Sequence, residues 1–303
     1  MTMRVVSLLA SGTEIVCALG AGQWLVGRSH ECDNPSWVRD LPGLSEPAFD
    51  VTVSSKAIDA EVNRRIRAGE PLYLLENAKI AELAPNLIIT QAHCEVCAVT
   101  PGDLERSGCL VSGAAQVMAL TAGSLDGVFE GMQRVADALG LSAAGAALAA
   151  SEKERLAAVT ARCKGKDAPT VVLLEWAEPV FAMGNWGPEL VDAANGRLLI
   201  GSKGQHSCAI PWEQVLEADP EVLVIAPCGY TLERALAERA VLEALPGWST
   251  LKAVKAGRVA YADGNLYFNR SGMTVVRTAE ILGEILHGEV FGERSEGVAW
   301  RWS

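Results

Sequence analysis

Residues 82–89 run Glu82-Leu83-Ala84-Pro85-Asn86-Leu87-Ile88-Ile89, and residues 218–225 run Ala218-Asp219-Pro220-Glu221-Val222-Leu223-Val224-Ile225. Each reads as the end of a helix, a proline turn and a short apolar strand, with a cysteine following within a few residues. A strand that is apolar throughout is buried on both faces, which requires a sheet covered by helices. The two stretches are a faint internal echo, so the chain is expected to hold two similar α/β units.

The same alternation surrounds both stretches. Residues 5–9 read as a strand, and Ser11-Gly12-Thr13-Glu14 as a turn opening a helix that Gly20 stops. Further strands are expected at 24–27 and 87–90. Val128, Met132, Val135 and Leu139 recur at helical spacing, and Gly140 ends that helix. Ser142 then caps an alanine-rich, proline-free run from Ala143 to about Arg162. At roughly 21 residues and 1.5 Å each it would span about 32 Å, enough to cross between two lobes. After Asp167-Ala168-Pro169, strands are expected at 170–174, 198–200 and 222–226 and a helix at 189–194. The expected fold class is α/β: two parallel-sheet lobes, 1–123 and 167–303, and a connector, 124–166, whose single long helix bridges them. Strand carboxyl ends facing one another would form a ligand cleft between the lobes. The tail from Glu293 reads as a surface appendage.

Bulk properties narrow the function. The chain has 303 residues, half of them hydrophobic and 21% charged, with a formal net charge of −11. With no basic cluster, nucleic acid and anionic membranes are excluded as partners. The apolar run at residues 1–10 is too short for a signal peptide or a membrane span, and Gly12-Thr13-Glu14 ends it. If Met1 is the native start the protein is cytoplasmic, and its eight cysteines are free thiols or ligands. If a leader has been removed it is periplasmic. No Gly-x-Gly-x-x-Gly, Walker, nucleophile-elbow or His-Glu-x-x-His motif is present, so an enzyme is not expected.

Three of the four histidines have a cysteine within two residues: His30-Glu31-Cys32, His93-Cys94-Glu95-Val96-Cys97 and His206-Ser207-Cys208. All three groups sit at turn-like breaks after apolar runs. Imidazole and thiolate suit borderline-soft metals, so His30, Cys32, His93, Cys94, Cys97, His206 and Cys208 are candidate ligands for zinc or an iron–sulfur cluster. Against this, His30-Glu31-Cys32-Asp33 before Asn34-Pro35 also reads as a plain helix-capping turn. The Cys-x-x-Cys falls in a loop, ahead of the helix signal Thr100-Pro101-Gly102-Asp103, which disfavours a redox pair. A thiol-dependent enzyme, with Cys94 activated by His93, is the remaining alternative. Cys228-Gly229 is either a ligand contact or a tight turn. Cys17, Cys109 and Cys163 read as buried small hydrophobes, and His287 as a partner of a helix dipole. Trp176, Trp186, Trp212, Tyr230, Tyr267 and Phe268 gather at the expected cleft and favour a flat, hydrophobic ligand. Trp212 also reads as simple packing, and Arg270 either as a carboxylate or phosphate contact or as a solvated arginine.

The opening Arg4-Val5-Val6-Ser7-Leu8-Leu9-Ala10-Ser11-Gly12-Thr13-Glu14-Ile15, followed by Leu19-Gly20, resembles the class III substrate-binding proteins of ABC importers. These take up cobalamin, haem and iron siderophores. The likeness continues through Gly27-Arg28-Ser29-His30-Glu31-Cys32-Asp33-Asn34-Pro35, both echo stretches and Gly257-Arg258-Val259, and is strongest to the cobalamin-binding branch. It implies two lobes bridged by one helix with little hinge motion, and a corrinoid or other tetrapyrrole or metal-chelate ligand. It also implies a monomer that works with an ABC permease if exported, without membrane insertion, or as a cytosolic carrier or sensor. Read from the residues themselves, the candidate contacts for such a ligand are His30, Glu31, Cys32, His93, Cys94, Trp176, Trp186, His206, Cys208, Cys228, Tyr230, Phe268 and Arg270.

Overall fold

In a computed structural model of the chain the described residues are 3–92, 96, 98–108, 115–292 and 294–303. His93, Cys94, Cys97 and Cys109 lie outside them. Contacts divide the chain into two units. The first comprises Met1–Val53, Ala57–Ala122 and Asp126–Ala150; the second comprises Ser54–Lys56, Gly123–Leu125 and Ser151–Ser303.

The first unit alternates strand and helix as β1 (Val5–Ser7), α1 (Ala10–Ala18), β2 (Leu25–Arg28) and β3 (Ser45–Pro47). There follow α2 (Ser55–Ala68), β4 (Tyr73–Leu75), α3 (Asn77–Leu83) and β5 (Leu87–Gln91). Then come α4 (Pro101–Arg106), β6 (Gln116–Leu120), α5 (Leu125–Ala138) and α6 (Ser142–Cys163). Four strands form one parallel sheet in the order β2-β1-β5-β6, and β3 pairs antiparallel with β4. All five residues of β5 are buried, as an apolar strand covered on both faces must be. Val6, Leu8, Leu44, Ile80, Ile88 and Val99 form the core.

The second unit opens with β7 (Thr170–Trp176), β8 (Phe181–Ala182), α7 (Gly187–Ala193), β9 (Arg197–Leu198) and β10 (Cys208–Ala209). It continues through α8 (Trp212–Ala218), β11 (Val222–Ile225), α9 (Leu232–Ala237), α10 (Arg239–Glu243) and α11 (Lys252–Lys255). It closes with β12 (Val259–Ala262), α12 (Val275–Leu286), α13 (Gly288–Phe291) and β13 (Trp300–Trp302). The sheet runs β10-β8-β7-β11-β12-β13, with β9 beside β7. Its centre is parallel, but β8 and β13 run antiparallel to it and β10 pairs antiparallel with β8, so the sheet is mixed where a parallel one was expected.

Local chemistry explains the element ends. Gly20 and Gly140 have φ of 72° each, the left-handed setting that ends α1 and α5. Thr100 and Asp103 form a reciprocal capping box at the start of α4, with Pro101 in its first turn. The echo is structural too. Ala84 (φ 41°) ends α3 and Asp219 (φ 40°) ends α8, each just before a proline and a buried strand. A side chain is costly in that conformation. Asp219 recovers part of the cost by accepting from the Lys252 amide at 2.8 Å and pairing with its ammonium at 3.2 Å. The alanine-rich run is one continuous helix, α6, and the division between units falls inside it.

The tail is not the appendage expected of it. Trp300 is fully buried in β13, which pairs with β12. Its indole donates to Glu284, whose carboxylate also accepts from the Ser295 amide and hydroxyl and from Arg277. Burial alone would raise the Glu284 pKa, but these hydrogen bonds and the Arg277 charge hold it below the ordinary value.

Close backbone approach makes one glycine decisive. A Cβ on Gly264, just past β12, would stand 2.1 Å from the Pro227 carbonyl oxygen and 2.7 Å from that of Ala226. Backbone cannot yield as a side chain can. We expect Gly264→Ala to destabilise the protein by about 1–3 kcal/mol. Gly43→Ala, where nothing lies within 4 Å, should stay within about 0.5 kcal/mol of wild type. Urea unfolding of both variants checks this.

Candidate functional site

In each sheet two neighbouring parallel strands send their connections in opposite directions. From β1 the chain moves to β2 on one side; from β5 it moves to β6 on the other. From β7 it moves to β8 and β9, and from β11 to β12. Such reversals leave an uncovered crevice at the strand carboxyl ends, where open α/β sheets bind ligands. The candidate surfaces are therefore the ends of β1 and β5 in the first unit and of β7 and β11 in the second.

In the first unit, β2 runs into Ser29-His30-Glu31-Cys32. Cys32 is fully buried: Thr13 donates to its sulfur at 3.0 Å, Ser29 lies at 3.2 Å, and the thiol donates to the Ser7 carbonyl at 3.7 Å. Burial raises its pKa above the usual thiol value. Cys32 is thus a neutral thiol that ties the β2 turn to β1 and α1, which corrects its expected role as a ligand contact. His30 is half-buried, with Nδ1 3.0 Å from Ser45 Oγ and its ring 5.4 Å from that of Tyr73. Burial, with the nearby Arg28 charge, pushes its pKa down to about 4. It is a neutral imidazole at physiological pH. Glu31 is half-exposed beside it, with its amide donating to Ser29 Oγ at 3.3 Å.

In the second unit the expected aromatics divide into surface and interior. Trp176 is half-exposed at the end of β7, edge-on to Tyr230 at 5.2 Å, with Nε1 donating to the Ser55 carbonyl at 3.2 Å. Tyr230 is 2% exposed; its hydroxyl donates to Glu238 at 3.2 Å, and the Arg234 guanidinium lies 3.8 Å above its ring. Burial pushes the Tyr230 pKa up to about 12, keeping it protonated. Glu238 also accepts from the Ser55 amide at 3.1 Å. Cys228 is half-buried at the end of β11, with its amide bonded to the Glu175 carbonyl at 2.9 Å. These side chains converge.

Others do not. Phe268 is fully buried, packing the interior of the unit where a ligand-facing ring was expected. Arg270 is 5% exposed, its guanidinium held by the Asn265 carbonyl at 2.6 Å and the Asn265 side chain at 3.3 Å. It is neither solvated nor displayed. Trp186 is 5% exposed at the start of α7. Trp212 stacks on Trp248 at 6.0 Å, and the His287 ring meets the Ala194 carbonyl at 3.0 Å. His206 and Cys208 are exposed on the segment leading into and forming β10. Among the described residues no three His, Cys, Asp or Glu side chains are placed to hold one metal ion. Of the seven expected ligands, His93, Cys94 and Cys97 lie outside the described residues, and His30, Cys32, His206 and Cys208 form no such group among the described ones.

Sequence reasoning passed over Ser55, Arg234 and Glu238. Ser55 and Glu238 are 183 residues apart, and nothing local to either signals the pairing.

Two outcomes are expected from these environments. The lowered His30 pKa means the unfolded chain binds a proton that the folded chain does not between about pH 4 and the ordinary 6.5. Its contribution to stability is complete above pH 6.5 and is lost as pH falls towards 4. Urea unfolding at pH 4.5 and 7 should show that His30→Asn flattens this slope. Under native conditions an alkylating reagent should modify Cys208 quickly, and Cys32 and Cys163 only after unfolding; mass spectrometry reads this directly.

Residues 5–266 match the periplasmic binding protein family. No curated protein sequence matches the chain. Among solved structures, a periplasmic heme-binding protein from Pseudomonas aeruginosa is 21% identical with a TM-score of 0.71, over 96% of this chain and 94% of that one. The apo form of the periplasmic heme-binding protein RhuT from Roseiflexus sp. RS-1 is 22% identical with a TM-score of 0.67, over 98% and 100%. The periplasmic vitamin B12 binding protein BtuF of Vibrio cholerae is 19% identical with a TM-score of 0.67, over 93% and 96%. With the match spanning most of its length, the chain belongs to the periplasmic binding protein family, and so to the substrate-binding proteins of ABC transporters and not to the enzymes.

Proposed function

We propose that this protein binds a flat tetrapyrrole or similar metal chelate, with a cobalamin-type corrinoid as the first candidate and haem as the second. The observation that carries this reading is Trp176. It is a half-exposed indole fixed at the β7–β11 reversal by a hydrogen bond and by the edge of Tyr230. A large aromatic face that is already oriented loses little freedom when a flat ligand covers it. The likeness to structures described as binding haem and vitamin B12 supports the same class.

His206 and Cys208 are exposed and His30, Glu31 and Cys228 half-buried on strand-end or edge segments, and these five are the proposed rim contacts. His93 and Cys94 remain proposed contacts from sequence alone. The partner is an ABC permease if the protein is exported. A cytosolic carrier or sensor is the other form of the reading, and it is supported by five described cysteines that are all free thiols.

Titrating the purified protein with cobalamin and with haem, followed by absorption spectra and calorimetry, tests the proposal. Binding of one of them at micromolar concentration is expected. Trp176→Ala should weaken it at least tenfold, or about 1.4 kcal/mol. No binding of either ligand would remove the reading.

A further inference from the structure

Helix α1 starts in the interior without a cap. Its N-cap residue, Leu9, offers no side-chain acceptor, and its first turn holds no acidic residue. Thr13 is the first residue of the helix whose N–H finds the backbone, at the Leu9 carbonyl, 3.1 Å away. Among the described residues no acceptor meets the N–H groups of Ala10, Ser11 or Gly12. The nearby Ser7 hydroxyl is turned to the Leu9 carbonyl, 2.9 Å away. Ser11, in the first turn and 2% exposed, has a hydroxyl with no hydrogen-bond partner.

Buried donors are rarely left this way, because each costs about 1–3 kcal/mol when unpaired. The position adds to the argument. The helix leaves β1 at the β1–β5 reversal, where ligands of open α/β sheets bind. Gly12 lets it lie close to β5: a Cβ there would meet Ile89 Cγ2 at 2.6 Å. Orphan N–H groups and the positive end of a helix dipole together suit an oxyanion. Because the turn is buried, water competes little, and an entering oxygen has to part the side chains that cover it.

We propose that the first turn of α1, with Ser11 Oγ as an added donor, is an oxyanion subsite that receives a carboxylate or phosphate oxygen of the ligand. It rests on the reading that this strand-end surface binds the ligand. The two oxyanion sources are separable: haem carries carboxylates that its dimethyl ester lacks, and cobalamin carries a phosphodiester that cobinamide lacks.

The test compares wild type with Ser11→Asp, which places a carboxylate of its own in the turn. Where a tetrapyrrole binds, wild type should prefer the oxyanion-bearing member of its pair, and S11D should lose at least tenfold affinity for that member while keeping its affinity for the other. The pair that responds names the source. Equal behaviour of wild type and S11D towards both members overturns the subsite and leaves the proposed function standing. Where no tetrapyrrole binds, inorganic phosphate is the probe. A phosphate-dependent rise in Tm over matched chloride, present in wild type and absent in S11D, supports the subsite although the proposed function has failed. No rise, or the same rise in both, overturns it; a turn occupied by water alone responds in this way. Should S11D not fold, Ser11→Ala carries the same comparisons, with a loss of about threefold expected for one neutral donor.

Discussion

In a parallel sheet every strand ends on the same edge, and each connection must cross back over a face before the next strand can begin. Where two central neighbours cross back in opposite directions, no connection covers the edge between them. Both units of this protein are built around that constraint, at β1–β5 and at β7–β11. The sharp turns there follow from it. Gly12 lets α1 approach Ile89 on β5, and Gly264 lets the segment after β12 approach the carbonyls that end β11. The Cys228 amide is tied to the Glu175 carbonyl across the second reversal. The crevice is a product of strand order before any side chain contributes to it.

Side chains then divide between holding the crevice and facing out of it. Cys32 holds: three oxygen contacts surround a sulfur that burial keeps protonated. A thiolate would need a metal or a cation to be stable in such a place, and neutral hydroxyl partners suit a thiol better. Arg270 holds as well, its charge enclosed and its guanidinium committed to Asn265. Trp176 and the rim residues face out. A Cys or Arg near a proposed site is therefore no guide to ligand chemistry until its burial is known.

This division explains what could be read from the sequence. The helix stops at Gly20 and Gly140, the capping box at Thr100 and the proline echo at 84–85 and 219–220 are local, and each was legible because its cause lies within four residues. The parallel centre of each sheet followed from the buried strands. The antiparallel pairings of β8, β10 and β13 did not, because two- and three-residue strands carry too little pattern. The docking of Trp300 was hidden for another reason: its partner Glu284 is 16 residues away in a different element. At the site, Trp176 was legible as an aromatic at a strand end. That Phe268, six positions from the end of β12, is fully buried was not, since sequence spacing gives position along the chain and not direction into or out of a unit.

The setting of Trp176 shows why a polar network lies beneath an apolar contact. An exposed indole held only by dispersion would rotate, and a ligand would have to freeze it at a cost of about 0.5–1.5 kcal/mol. Here the indole N–H is committed to the Ser55 carbonyl, and the Ser55 amide to Glu238. Glu238 also receives the Tyr230 hydroxyl, and Tyr230 supports the indole edge. The network closes on itself through groups that are mostly buried, where hydrogen bonds gain strength from the low dielectric. Arg234 covers a face of Tyr230, so of the two edge-on aromatics it is the indole that stays open to a partner. Polar bonds orient the surface, and apolar area is what the ligand meets.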